Sequence, residues 1–432
     1  MDHDESYYVT WIDSPALVEH YAKKDAEYTL EQEYLLRPLI EEDSKLHALY
    51  RLEQKVSEVL YRAEQHGVAI DPVAVGRIDA HYREREVRAR SDLETTLGGV
   101  PEGPGSEEWL REALVAAGVP LDEKTLTGKV AINKQALRLY AAHPAVKALL
   151  DWRRVRKFQT TYLDAVRDHT LVHPTFNQAQ AWTGRMSGQN PNMQNLPKRS
   201  ELAEENDLKV RSVFVPRPGC EFMIFDYDAI EMRVLAHFLS VPEYQEEVAN
   251  GDPHAATAFA VAQILGLPGN GPDDFGKSTA NRSIRDGAKQ VTYSIVYGGG
   301  GPVVRDTWNR EMSKIGRTDL MVDLDQARQV RRAIAGSIPG FKQLTNTPWK
   351  GRNHPSGVIH QQLMNSMVFE DTEEGRKAYG YVRTIGGRKQ WISLEKAYVG
   401  LSGLMQGSAA DIMKAGAVNG FDALKNTGAR PL

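Results

Sequence analysis

The sequence lacks the features that mark secreted and membrane proteins. Cys220 is the one cysteine among 432 residues, so no intrachain disulfide can form, which fits a reducing cytoplasm. No apolar run approaches the length that crosses a bilayer, so we expect no membrane partner. The opening MDHDESYYVT is acidic and has no apolar stretch behind it, so we also expect no secretory signal.

A strong charge of either sign is missing as well. The formal net charge is -4, so contact with a nucleic acid would depend on local basic surfaces and not on the field of the whole chain. Hydrophobic residues make up 41% of the sequence and charged residues 25%, which supports a soluble core. The length predicts two or three domains.

The apolar periodicity predicts a mostly helical chain with a few strands. The apolar run of CEFMIFDYD (220–228) predicts a short buried strand, and a β-hairpin is expected near GYVRTIGGRKQWIS (380–393). Residues 177–200 have the composition of a loop, and residues 346–395 are otherwise irregular. Single helices are predicted over residues 14–43, 229–240, 323–345 and 404–424. Helical patterns with breaks cover 44–95, broken at HGVAIDP, and 253–297, broken at GLPGNGPDDFGKS, and several helices are expected within 106–170.

Two cations and two aromatics recur every fourth residue in RSIRDGAKQVTYSIVYGGG. They are Arg285, Lys289, Tyr293 and Tyr297, and at about 100° per residue they form a stripe about 120° wide on one helix. A stripe buried in a core would be aliphatic. It is therefore either a solvated face with two half-covered rings, or a platform on which the cations hold the phosphates of a nucleoside triphosphate.

Asp226 ends the apolar run FMIFD, where a carboxylate at a sheet edge could hold a hard cation such as Mg²⁺. The alternative is local, because Asp228 and Glu231 fit an acidic variant of the capping box and Asp226 could be a turn residue. His254 follows Asp252, a plausible N-cap, and would lie beside a helix N-terminus that attracts anions. A structural histidine is the alternative there.

Several polar stretches suit nucleic acid. The amides of TGRMSGQNPNMQNLP fit acceptors in the minor groove, or they satisfy their own turn. Two basic runs could neutralise phosphates or form solvated faces. GPDDFGKS (271–278) resembles a phosphate loop, but a helical pattern precedes it and its acids oppose that interpretation. The residues concerned are Arg185, Asn192, Gln194 and Asn195 in the loop, Arg153, Arg154, Arg156 and Lys157 in one run, and Arg376, Lys377, Arg383, Arg388 and Lys389 in the other.

In this order, the stretches resemble family A DNA polymerases, the class of bacterial DNA polymerase I and many phage replicases. DYDAIEMRVLAH resembles the palm motif with the first metal-binding aspartate, and RDGAKQVTYSIVYGG resembles the fingers helix. TGRMSGQNPNMQNLP and MQGSAADIMK resemble primer–template contact segments. The resemblance implies an α+β, mostly helical right-hand fold. Its parts would be an exonuclease-domain remnant (1–43), thumb and palm entry (44–175), palm (176–240), fingers (241–374) and an incomplete palm (375–432).

The resemblance also implies roles for single residues. Asp226 and the backbone carbonyl of Tyr227 would hold two Mg²⁺ ions, and Asp226, Arg285 and Lys289 would be catalytic. The incoming dNTP would meet Glu231, His254, Arg285, Lys289, Tyr293 and Tyr297, with Glu231 paired to Tyr297 and excluding a ribose 2′-OH. Tyr293 would permit ready use of dideoxynucleotides. Primer–template DNA would meet Arg185, Asn192, Gln194, Asn195, Arg388 and Gln406.

The sequence departs from the family pattern near both ends, and also at Asp228, Ala229 and Ser402. The family's His-Asp-Glu hairpin should follow MQGSAADIMK, but the chain reaches GFDALKNTGARPL first, and Asp411 does not match the catalytic position. We therefore expect this chain alone to be inactive or nearly so.

The leading hypothesis is a split, phage-encoded polymerase in the host cytoplasm, with a second polypeptide carrying the hairpin. A truncated or relic chain and a non-catalytic primer–template and dNTP-binding fragment are the alternatives, as is a single-subunit RNA polymerase relative, which Glu231 disfavours. Tyr21 and Asp25 resemble the last exonuclease motif alone, so no proofreading is expected.

Overall fold

The computed structural model describes residues 14–102, 106–121, 128–133, 136–137, 140–196, 209–345, 357–372 and 375–431. Its elements are α1 (Pro15–Glu42), α2 (Ser44–His66), β1 (Val68–Ile70), α3 (Pro72–Leu97), α4 (Ser106–Ala116), α5 (Pro144–Phe158), β2 (Leu171–Val172), β3 (Thr175–Asn177), β4 (Ser187–Gln189), β5 (Phe214–Val215), α6 (Ile230–Leu239), α7 (Pro242–Asn250), α8 (Pro253–Ile264), α9 (Arg282–Val296), α10 (Gly301–Lys314), α11 (Leu324–Ser337), α12 (Phe341–Thr345), α13 (Val358–Asn365), β6 (Val368–Thr372), β7 (Gly375–Arg383), β8 (Lys389–Ser393) and α14 (Gly400–Leu424). Among these residues, no helix is both long and apolar enough to cross a membrane.

The chain divides into two compact units. The first contains residues up to Val59, the segment Ala179–Arg185 and Asp226–Ala423. The second contains Leu60–Gln178, Met186–Phe225 and the residues after Ala423. The predicted irregular segment 346–356 and the end of the predicted loop, 197–200, lie outside the described residues.

The core of the first unit forms around α9. Ile284, Ala288, Val291 and Ile295 recur at helical spacing and are at most 3% exposed, so they form the apolar face of that helix. They pack in one cluster with buried residues of α6, α8, α10, α11 and α14. The stripe of cations and rings lies on a different side of α9 from this apolar face.

A three-stranded antiparallel sheet and a long helix complete the first unit. β6, β7 and β8 pair in that order, with Val382 opposite Gln390, so the predicted hairpin near residues 380–393 is confirmed. The predicted helix with small residues on one side is also confirmed, as α14. Gly407 of α14 lies so close to the sheet that a Cβ there would come within 2.3 Å of the side-chain nitrogen of Gln390.

The second unit is built on α3 and α5. Tyr82 of α3 and Phe158 of α5 stack with ring centres 3.8 Å apart in one of its two apolar clusters. Its sheet has the order β2–β1–β5, and β3 pairs with β4 in a separate hairpin. Residues 187–189, predicted to be loop, are therefore a strand. The helices expected within residues 106–170 are present as α4 and α5.

The predicted buried strand in residues 220–228 is wrong. The described segment has no regular structure, and Met223, Ile224 and Phe225 are 66%, 86% and 77% exposed. A strand is stabilised by hydrogen bonds to a neighbouring strand, and no described strand pairs with this run. The local capping box is absent too, because the N-cap of α6 is Ala229, at φ 48°, with no side-chain capping bond.

Candidate functional site

The stripe predicted on α9 is present, and three of its four side chains are half-buried. The amine nitrogen of Lys289 lies 5.9 Å from the ring centre of Tyr293. The rings of Tyr293 and Tyr297 are nearly parallel, at 18°, with centres 6.4 Å apart. Burial, and then the charges of Glu231 and Asp228, raise the pKa of Tyr293 to about 12. Two neutral phenols and one cation therefore form a continuous surface.

Arg285, the fourth member of the stripe, is held by a carboxylate from the neighbouring helix. Its Nε and Nη2 each donate to Asp252 over 2.8 Å, and the residue is only 5% exposed. Asp252 also caps α8, accepting from the backbone N–H groups of His254 and Ala255. Burial pushes the pKa of Asp252 upward, but the bonds and charge of Arg285 outweigh it, so the pKa lies below its usual range.

His254 lies between these groups with unused hydrogen-bonding capacity. It is 3% exposed, and neither ring nitrogen has a partner among the described residues. Its ring centre lies 5.6 Å from that of Tyr293, at 63°. Burial, with the positive charges of Lys289 and Arg285, lowers the pKa of His254 to about 4. The imidazole is therefore neutral near pH 7, beside two cations and the N-terminus of α8, which favours an anionic ligand.

Glu231 ties α6 to the end of α9. Its Oε1 accepts from the phenol of Tyr297 over 2.6 Å and from Nη2 of Arg185 over 2.9 Å. Burial and the bond to Glu231 raise the pKa of Tyr297. The resemblance assigned to this carboxylate the exclusion of a ribose 2′-OH. Two hydrogen-bond donors from different parts of the chain hold it in place.

Asp226 and Tyr227 precede α6 in the same unit, and both are exposed. The phenol of Tyr227 lies against α14, where a Cβ on Gly416 would come within 2.1 Å of its oxygen. Among the residues that the structure describes, no group of three or more histidine, cysteine or acidic side chains could hold a metal. An exposed carboxylate and a neighbouring carbonyl are nevertheless the oxygen donors that Mg²⁺ uses together with substrate phosphates.

Arg388, which the resemblance assigned to DNA, is part of an internal ion network. It donates to Asp411 through Nε and Nη2, at 3.0 and 2.8 Å, and to Glu53 of α2. The amine of Lys414, fully buried, donates to both carboxylate oxygens of Glu53. The same basic run supplies Arg383 and Lys389, which pair with Asp43. Most of this run therefore joins parts of the first unit.

The remaining predicted DNA contacts are spread over both units. Gln406 of α14 is half-buried and donates to Ser402 over 3.1 Å. Asn192 of the second unit accepts from the backbone N–H groups of Gln194 and Asn195, so its side-chain oxygen satisfies its own turn. The side chains of Gln194 and Asn195 are exposed. Lys277 follows a helix and a 3₁₀ turn (Pro272–Phe275) and not a strand, so a phosphate loop is not formed there.

Sequence reasoning missed two acidic residues that shape this site. Asp252 was recognised as a cap, but its bidentate bond to Arg285 joins residues 33 apart and left no local signal. Asp228 is near enough to Tyr293 to raise the pKa of that phenol. Asp228 lies within the motif DYDAIEMRVLAH and Asp252 lies two residues before His254, and these positions are the one hint that the sequence contained.

Comparison with known proteins identifies the family. The pattern described as DNA polymerase family A matches residues 79–345. The chain belongs to this family. It is 29% identical to DNA polymerase I of Chloroflexus aurantiacus over 426 residues, covering 95% of this chain and 40% of that protein. It is 28% identical to the thermostable DNA polymerase I of Thermus aquaticus, covering 91% of this chain and 43% of that one.

The fold of this family A chain also matches a solved structure. The polymerase domain of Pol1 from M. smegmatis, in complex with DNA primer-template and dNTP, superposes with a TM-score of 0.65 at 22% identity. The match covers 89% of this chain and 62% of that one. A mostly helical, polymerase-type fold with small antiparallel sheets is therefore established. The chain spans about two fifths of the length of the two curated relatives named above.

Proposed function

We propose that this chain takes part in template-directed DNA synthesis, the transfer of a nucleotide from a dNTP to a primer 3′-OH. One observation carries the proposal. Arg285, Lys289 and Tyr293 lie on one helix face, next to the ring of His254, whose nitrogens have no described hydrogen-bond partner. Two cations and a helix N-terminus provide charge for phosphates, and a ring lies next to them for the sugar and base. Family membership supports the same activity.

Each group at this site has a role that its contacts allow. Lys289 would bind the triphosphate directly. Arg285 would do so by exchanging its bond to Asp252 for a phosphate. His254, neutral and without a hydrogen-bond partner among the described residues, would donate an N–H to a phosphate oxygen. Fixed donors of this kind stabilise the charge that develops during phosphoryl transfer.

Glu231 and the DNA contacts would set substrate choice. Because Tyr297 and Arg185 both donate to the carboxylate, a ribose 2′-OH would meet it in this position and dNTPs would be preferred. Tyr293 supplies a phenol that would permit dideoxynucleotides. Arg185 and Gln406, with Asn192, Gln194 and Asn195, would contact the primer–template minor groove. The internal pairing of Arg388 argues for an indirect, positioning role in place of the predicted contact.

The residues present fit magnesium at one position. Asp226 and the carbonyl of Tyr227 would hold it, with phosphate oxygens completing the coordination. A pair of such ions would activate the primer hydroxyl and neutralise the leaving pyrophosphate.

The part assignments follow the family resemblance. We propose an exonuclease-domain remnant in residues 1–43, thumb and palm entry in 44–175, palm in 176–240, fingers in 241–374 and further palm in 375–432. The two units do not coincide with these boundaries, because residues of the proposed palm occur in both.

We further propose that a second polypeptide completes the palm. The support is the exposed apolar run Phe222–Phe225, which has the composition of a sheet strand but no described strand beside it. A strand added by a partner would cover that run, and a carboxylate on the partner would join Asp226 at the metals.

Primer extension tests both proposals. The chain is mixed with the polypeptide encoded next to it, and synthesis with Mg²⁺ and dNTPs is compared with each piece alone. We expect synthesis from the mixture that Lys289→Ala lowers at least tenfold and that rNTPs do not support. Binding of primer–template and dNTP without extension by any mixture would favour a non-catalytic binding fragment. Extension by this chain alone would contradict the need for a second polypeptide.

A further inference from the structure

Helix α1 has a narrow apolar stripe that nothing in the described structure covers. Leu17, Tyr21, Tyr28, Leu35 and Leu39 are 58%, 54%, 55%, 71% and 62% exposed. At about 100° per residue, all five lie within about 40° of one another around the helix. Within α1, Val18 alone is buried. The stripe runs along a helix of 28 residues that contains Pro38 near its C-terminal end. Such a stripe is the pattern of a helix that packs lengthwise on another helix.

The stripe is symmetric about its middle residue. Tyr21 and Leu35 lie seven positions on either side of Tyr28, and Leu17 and Leu39 lie eleven positions on either side. If a second identical helix runs antiparallel with Tyr28 on the twofold axis, every apolar residue of one copy meets an apolar residue of the other. A twofold interface needs this kind of self-complementary pattern.

The charges beside the stripe fit the same arrangement. On one flank Lys24 of one helix comes next to Glu31 of the other, and on the other flank Asp25 comes next to Gln32. A parallel pair would bring the two acidic ends together and would align the helix dipoles unfavourably.

We propose that a second copy of this chain docks on the stripe of α1 and forms an antiparallel twofold pair. The contact involves neither the α9 stripe nor the proposed polymerase activity, and it forms without DNA or nucleotide. Ten apolar side chains, five from each copy, leave water in this pair.

Sedimentation equilibrium of the intact chain tests the proposal. We expect the mass to rise from one chain to two with concentration in the micromolar range. Tyr28→Glu should weaken self-association at least tenfold, because it buries a charge on the twofold axis. Tyr34→Glu is the matched control, since Tyr34 is 69% exposed but lies about 120° away from the stripe. It should leave the association unchanged.

Charge exchange tests the antiparallel register. Lys24→Glu and Glu31→Lys should each weaken the pair roughly two- to thirty-fold, since each replaces two attractive contacts by repulsive ones. The double variant should recover the original affinity. A monomer at every concentration would overturn the proposal, with some other polypeptide as the occupant of the face. Equal effects of Tyr28→Glu and Tyr34→Glu, or a double variant weaker than both single ones, would overturn it as well.

Discussion

The carboxylate of Asp252 performs two tasks at the residue scale. It caps α8 and it orients Arg285, so the first cation of the α9 stripe is already paired before any phosphate arrives. His254 is the complement, a buried ring with no described partner beside two positive charges. The site therefore contains one cation that is already paired and one imidazole without a described hydrogen-bond partner. The effect of each on stability can be measured without a substrate.

Removing the charge of Asp252 should destabilise the first unit. Asparagine is as good a cap as aspartate, so Asp252→Asn retains the cap of α8 but loses the charged bidentate bond. We expect a loss of about 2 kcal/mol in the free energy of unfolding, measured by urea denaturation. Asp286→Asn is the control. It alters a 3.5 Å contact of the same arginine from a carboxylate that is 57% exposed, and it should cost under about 0.5 kcal/mol. Equal losses for the two variants would contradict this account.

The burial of His254 should appear in the pH dependence of stability. Its pKa is about 4 in the folded chain and about 6.5 when the ring is free, so the unfolded chain binds the extra proton between these values. The free energy of unfolding should therefore fall as the pH drops from 6.5 toward 4, by about 3 kcal/mol from this residue. His254→Gln should remove that part of the slope.

The exposed His237 provides the comparison for this measurement. His237→Gln, on α6, should leave the dependence on pH as it is in the unaltered chain. Urea unfolding midpoints between pH 4.5 and 7 decide the matter. An unchanged slope in His254→Gln would show that the ring is not held neutral by its surroundings.

At the scale of elements, local sequence patterns predicted several helices and a hairpin correctly. In these elements the residue periodicity and the turn residues are themselves the signal. The α9 stripe, the β7–β8 hairpin and the small-residue face of α14 all follow from periodicity and turn residues. The prediction of a strand at 220–228 was wrong because an apolar run does not show whether another strand lies beside it to form hydrogen bonds. Without a partner strand, the run Phe222–Phe225 has no ladder to join, and its side chains remain in solvent.

Close packing of α14 on the sheet predicts opposite effects for two glycines of one helix. A Cβ at Gly407 would meet Gln390 at 2.3 Å and Thr384 at 2.7 Å, both buried side chains, whereas a Cβ at Gly420 would meet nothing within 4 Å. Gly407→Ala should cost about 1–3 kcal/mol through overpacking. Gly420→Ala should gain about 0.5–1 kcal/mol from helix propensity. Thermal unfolding of the pair measures the difference, and a gain in both would mean that α14 is not packed this tightly.

At the scale of the whole molecule, the long-range ion pairs were the part that the sequence could not reveal. Arg388 and Glu53 are 335 positions apart, and a basic run gives no indication of the acids that it will meet. Arg388, which the resemblance assigned to DNA, consequently joins α2 to α14, and Arg383 and Lys389 of the same basic run pair with Asp43. The apolar clusters are likewise separate, one in the first unit and two in the second.

Separate cores should give separate unfolding transitions. Leu235 and Leu93 are both fully buried, the first in the core of the first unit and the second in that of the second. Each Leu→Ala change should destabilise its own unit by about 2–5 kcal/mol. In differential scanning calorimetry we expect Leu235→Ala to lower one transition and Leu93→Ala to lower the other. A single transition that both variants lower equally would show that the units unfold together.

The exposed apolar run Phe222–Phe225 can be labelled, because the thiol of Cys220 lies close to it in the sequence. Cys220 is exposed and precedes Phe222 by two residues, so a solvent-sensitive dye can be attached beside the run without any substitution. A polypeptide that covers residues 222–225 would take that dye out of water, and its emission would change. Cys220 therefore gives a direct optical test of whether any polypeptide binds to this run.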